Sequence, residues 1–132
     1  MTDRQRVGSG GPWEERFGYC RALRVGEVIL VAGCTSTIDG RVRHPDDPGA
    51  QLRAAVDTAM AAVTELGGGW ADVVRTRIYV TDRGDCDAVG VAHGEAFGAH
   101  PPVATMVIVA GLLDPDMRVE IEVEAIVGAA GS

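Results

Sequence analysis

A single small α/β (α+β) domain, in which helices cover a sheet, is the fold class the sequence predicts. Three observations predict it. The chain has 132 residues, which fits one domain and leaves no room for a second. One long segment carries helical apolar spacing. Several short β-branched runs alternate with helical segments, as in helix-covered sheets.

The elements follow in chain order. Residues 1–16 hold Gly8, Gly10, Gly11, Pro12 and Trp13 and read as a mobile N-terminal arm anchored by an aromatic; the folded domain is expected over 17–129. Residues 19–25 and 28–32 are short β-type runs joined by Gly26-Glu27, the spacing of a hairpin. Residues 34–49 read as a loop with a turn at Asp39-Gly40. A helix is expected over 49–66, where Leu52, Ala55, Val56, Ala59, Met60 and Val63 form one apolar stripe. Asp47 can cap it, Pro48 suits its first turn, and Gly67-Gly68-Gly69 stops it. A strand follows at 73–81, a helix at 85–98 that Gly90 and Gly94 weaken, and strands at 103–110 and 118–127. The order is ββαβαββ, with room for one more strand before the hairpin.

Composition excludes several functions. All 12 cationic residues are Arg, so no lysine Schiff base and no GxxxxGK[ST] phosphate loop can form. The net charge of −7 argues against a nucleic-acid face. Cys20, Cys34 and Cys86 are widely spaced and odd in number, and no Cys/His cluster suggests a metal site. With no long apolar span, the reading is a cytoplasmic protein with reduced thiols and no membrane contact.

The last strand is the chemically informative one. Val119, Ile121, Val123 and Ala125 share one face, and Glu120, Glu122 and Glu124 share the other. Unpaired carboxylates are costly to bury, so the second face is either solvated or part of a cleft. In a cleft, one Glu could act as a general base on water, its pKa raised by burial.

An ordered set of short motifs resembles the RidA/YjgF family of reactive-intermediate deaminases. They are Gly18-Tyr19, Val31-Ala32-Gly33, Gln51, the run from Ala71 to Asp82, Pro101-Pro102, and Val119-Glu120-Ile121-Glu122. The resemblance covers roughly residues 17–127. It implies a chorismate-mutase-like fold, a mixed sheet covered by two helices, and a homotrimer with a small-molecule cleft at each subunit interface. It also implies hydrolysis of enamines or imines without metal or cofactor. By the same resemblance Glu120 and Tyr19 are the catalytic candidates, with Glu122 an alternative carboxylate on the same face, and Gly33 and Cys34 line the pocket.

The chain departs from the family pattern at one point that matters. The family's carboxylate-binding Arg falls on Ala104, its helix Asn on Gly90, and its pocket Cys on Met106. The pocket is therefore expected to be wider and more apolar. Arg21, Arg24, Arg75, Arg77 and Arg118 are the cations that could compensate, each otherwise a surface or interface residue. His93 is a structural histidine or a cleft acid/base, Cys34 a buried filler or a nucleophile, and Trp13 a lid or an anchor for the arm. Three functions compete: a deaminase-type hydrolase for a small reactive imine or enamine, a non-catalytic metabolite-binding trimer, and a specialised biosynthetic cyclase or hydrolase on a neutral substrate.

Overall fold

The structure, a computed structural model, describes residues 3–129. The first two residues of the expected arm lie outside the described residues. The strands are β1 (Arg4–Val7), β2 (Ala22–Val25), β3 (Val28–Cys34), β4 (Thr37–Ile38), β5 (Arg41–Val42), β6 (Val73–Val80), β7 (Val103–Ile108) and β8 (Val119–Ile126). The helices are a short α1 (Glu14–Phe17), α2 (Pro48–Glu65) and α3 (Cys86–Phe97). Six strands form one mixed sheet in the order β1-β2-β3-β8-β6-β7. Only β6 and β7 pair in parallel, and α3 is the crossover that joins them. Together with α2 it supplies the helical layer. The α+β class and the two-helix cover expected from the sequence are those observed.

The long helix forms for the reasons its sequence gives. The Asp47 carboxylate accepts the Ala50 N–H at 3.0 Å, and Pro48 occupies the first turn. At the other end Gly67 takes φ +89°. Its N–H donates to the Thr64 carbonyl and that of Gly68 to the Val63 carbonyl, a Schellman stop. The stripe Leu52, Ala55, Val56, Ala59 and Val63 is fully buried. It packs on β3 and β8, whose Ile29, Val119, Ile121 and Val123 face it.

Two readings change. Part of the mobile start is a strand: β1 pairs with β2 from Arg4↔Val25 to Val7↔Ala22. Three of its four residues are exposed, so it lacks the apolar alternation by which strands are recognised. The loop expected over 34–49 contains a small ribbon, β4 with β5. Its turn residues Asp39 and Gly40 both have positive φ, as a two-residue type I′ turn demands. Strands of two residues are too short to carry a period.

Gln51 ties this loop to the sheet. Its side chain is fully buried. Nε2 donates to the Arg43 and Asp116 carbonyls at 3.1 and 2.9 Å, and Oε1 accepts the Arg118 N–H at 2.8 Å. Replacing it by Leu leaves these groups unpaired in the interior, and Gln51→Leu is expected to cost about 2–3 kcal/mol. Urea unfolding at fixed protein concentration measures this; a loss below about 1 kcal/mol contradicts the staple.

Candidate active-site cleft

The site begins with a register fault in β3. Val31 pairs with Val123, but Cys34 pairs with Ile121, so three steps on β3 face two on β8. This is a β-bulge, and it keeps Val31 and Cys34 both inward while Ala32 and Gly33 turn outward. Glu120 comes up from β8 against the bulge. A Cβ built on Gly33 would lie 2.7 Å from the Glu120 carboxyl carbon and about 3 Å from both its oxygens. Glycine is thus the residue that lets the carboxylate lie over this backbone.

Around that contact lies a cleft of about 500 Å³, part of it open to solvent. Its lining includes the polar and charged Tyr19, Arg21 and Glu120 with Gly33 and Cys34, and the apolar Pro12, Trp13, Leu113 and Met117. Tyr19 follows α1 and the left-handed Gly18, φ +76°. The segment from Ser9 to Trp13 roofs the cleft and is fastened by Glu14. That carboxylate accepts the Ser9 and Gly11 N–H groups, each at 3.1 Å, and the Ser9 hydroxyl. Burial opposes the Glu14 charge, but these bonds and Arg21 outweigh it and hold its carboxyl below the usual range.

Arg21 is the cation of the cleft. It is only 8 % exposed. Its guanidinium donates to the Gly33 and Ala32 carbonyls, reaches Tyr19 Oη and Cys34 Sγ at 3.5 Å, and pairs with Glu14 at 3.6 Å. Glu120 has no hydrogen bond or ion pair among the described residues. Burial, followed by the neighbouring Glu122, pushes its pKa up, and Arg21 offsets part of that rise. Burial likewise pushes the Cys34 thiol up, away from the thiolate a nucleophile needs. Among the described residues no group of three His, Cys, Asp or Glu side chains converges where a metal could sit.

Comparison with known proteins places this geometry in a family. The family model for endoribonuclease L-PSP matches residues 14–127. The chain belongs to this family, the RidA/YjgF family. A Mycobacterium tuberculosis member of the YjgF/YER057c/UK114 family is 43% identical, with TM-score 0.86, covering 95% of this chain and 100% of that one. The Escherichia coli YjgF gene product is 30% identical, with TM-score 0.75, over 82% of this chain and 87% of its own. An uncharacterised Streptomyces coelicolor protein is 42% identical over 128 residues, 97% of this chain and 96% of that protein. No helix among the described residues is long and apolar enough to cross a membrane.

Within this RidA/YjgF chain the residues singled out from sequence fall into three places. Tyr19, Gly33, Cys34 and Glu120 meet in the cleft. Gly90, His93, Ala104 and Met106 gather elsewhere, where α3 lies over β6 and β7. A Cβ on Gly90 would touch Met106 Cε at 3.9 Å. His93 Nε2 bonds Thr76 Oγ1 at 2.8 Å, its ring lies 4.8 Å from that of Phe97, and burial lowers its pKa. Ala104 pairs with that same Thr76 across the ladder. Glu122 is the third place: it accepts from the Tyr79 hydroxyl and lies 3.8 Å from Arg77, on the outer sheet face. Sequence reasoning missed Glu14 as a clasp, and it left Arg21 as one of five arginines that could compensate or lie at a surface or interface. The Glu14 clasp to Ser9 and Gly11 is local but has no periodic pattern to read, and the role of Arg21 depends on contacts made through the fold, across seven residues to Glu14 and over the bulge.

The Glu120 environment sets a stability signature. Its folded pKa is raised above the unfolded one, so ionisation is harder in the native state. The advantage of the neutral form is complete below the unfolded pKa and is lost as pH rises through the folded one. Glu120→Gln is therefore expected to raise Tm at pH 7.5 by on the order of a few degrees and to change it little at pH 4. Thermal melts at the two pH values test this; no rise at pH 7.5 contradicts a strained carboxylate.

Proposed function

We propose that this RidA/YjgF protein is a deaminase-type hydrolase acting on a small reactive imine or enamine, and that its clefts are completed at the subunit boundaries of a homotrimer. The observation that carries the reading is Glu120: a half-buried carboxylate with a raised pKa and no partner, lying over Gly33 in a cleft beside Tyr19. A carboxylate so placed can take a proton from water as the water oxygen adds to the imine carbon. The tetrahedral carbinolamine then collapses. The carboxyl returns its proton to the nitrogen, the regenerated carboxylate accepts the carbinolamine hydroxyl proton as the C–N bond breaks, and a carbonyl compound and ammonia leave, the ammonia carrying that proton away as ammonium. Tyr19 supplies a phenol that orients substrate or water.

Trimerisation is supported by what the protomer leaves bare. Val103, Val107 and Ile108 of the edge strand β7 are exposed, and so are Val28 and Leu30 of β3. A neighbour seated there would bury these groups and could bring its Gly90, His93, Ala104 and Met106 toward the cleft. The −7 charge leaves the endoribonuclease description of the family model without a basic face to support it in this chain. With no Cys/His cluster and three free thiols, a reducing, cytoplasmic setting suits the chain.

Ala104, where the resemblance puts the family's carboxylate-binding Arg, favours a second reading: a trimer that binds a metabolite without turning it over. Ammonia release from freshly generated imines separates the two. The hydrolase reading expects Glu120→Gln to lower the rate by about 10²–10⁴-fold. It also expects Gly33→Ala, which forces the carboxylate aside, to lose activity while keeping Tm within about 3 °C. Unchanged rates in Glu120→Gln contradict it. Light scattering should give three times the 13.8 kDa chain mass, and a stable monomer contradicts the shared cleft.

A further inference from the structure

The charges around the cleft are unbalanced in a way that bears on what enters it. Glu120 is unpaired. Arg21, the cation lining the same walls, is committed five ways: to the Gly33 and Ala32 carbonyls, to Cys34, to Tyr19 and to Glu14. It also lies over the Tyr19 ring, 5.6 Å from the centroid. Its charge is already met by Glu14 at 3.6 Å, and its Nε is buried without a partner and out of reach of a ligand. A bound carboxylate drawn to Arg21 Nη2 would compete with Glu14 for that charge, while Nη1 stays on the Gly33 and Ala32 carbonyls.

The other candidate cations do not line the cleft and have partners of their own. Arg24 bonds the Leu66 carbonyl at 2.7 Å. Arg77 bonds Glu124 at 2.8 Å, and Arg75 lies 4.0 Å from the same carboxylate. Arg118 makes two bonds to the buried Asp85, at 2.9 and 3.0 Å. Ala104 brings no charge. The remaining lining is apolar or hydroxylic and includes Trp13, Leu113, Met117, Thr35, Thr37 and Thr58.

We infer that the cleft takes a small cationic ligand without a carboxylate, an iminium or protonated amine on an apolar body, with Glu120 as its counter-charge. This rests on the reading of the cleft as the substrate site and names the substrate class. One Glu120 oxygen accepts the ligand N–H while the other faces water. A carboxylate on the ligand would instead meet Glu120 with like charge and, among the residues this chain contributes to the cleft, find only Arg21, which already pairs with Glu14. The protonated imine is the more electrophilic form, so the same contact that selects it also readies it for water.

Calorimetric titration of the intact oligomer with three five-membered-ring probes tests this. Pyrrolidine carries the cation alone, proline the cation and a carboxylate, and cyclopentanecarboxylate the anion alone. Pyrrolidine is expected to bind at least about tenfold tighter than proline and cyclopentanecarboxylate more weakly still. Glu120→Gln, checked for fold by circular dichroism, is expected to lose about tenfold for pyrrolidine and to change the anion little. Proline or cyclopentanecarboxylate binding as well as pyrrolidine overturns the inference, as does pyrrolidine affinity indifferent to Glu120 or no detectable binding of any probe. The titration needs no turnover: pyrrolidine preference without ammonia release from any imine would end the hydrolase reading and leave this one standing.

Discussion

Where β3 gives three residues to two of β8, the alternation of the sheet is reset, and the cleft follows from that fault. Without the extra residue, either Val31 or Cys34 would leave the core, since each step along a strand turns the side chain over. With it, both stay inward and Ala32-Gly33 is pushed toward the acidic face. A side chain at position 33 would collide with the Glu120 carboxylate. The bulge, the missing Cβ and the carboxylate therefore form one device. Arg21 holds it by donating to the Ala32 and Gly33 carbonyls.

The polar interactions of the sheet divide by what they do. On the outer face Arg75, Arg77 and Tyr79 pair with Glu122 and Glu124. These contacts are half-exposed and add little stability, but they keep two of the three strand carboxylates occupied. Glu120 is the one left over. Glu14 and Arg21 form a second, more buried pair that joins the roof of the cleft to its floor. The chain thus neutralises the charges that build the site and leaves one carboxylate free within it.

Much of this is legible in the sequence. The α2 stripe, its Asp47 cap and the glycine stop are local signals, and each takes the form the residues dictate. The alternation of β8 by itself separates the core valines from the glutamates. The motifs through Gly18-Tyr19, Gly33 and Glu120 bring together residues that do meet. What is not legible depends on geometry beyond the chain's local pattern. β1 is polar at an edge and has no period to read. Alternation makes Glu120 and Glu122 equivalent; only the neighbours, bare Gly33 for one and Tyr79 with Arg77 for the other, distinguish them. The commitment of Arg21 depends on the carbonyls of Ala32 and Gly33 at a bulge that no residue type announces.

The account stands on a Glu120 carboxylate that is shielded and unpaired in the resting protein. Carbon-13 NMR titration of the side-chain carboxyl groups reads this directly, with Glu120→Gln assigning the resonance. The account predicts a Glu120 midpoint above that of an ordinary glutamate, moving down when a cationic ligand is bound. A midpoint at or below the ordinary glutamate value, unmoved by ligand, would mean a solvated or already paired carboxylate and would contradict it.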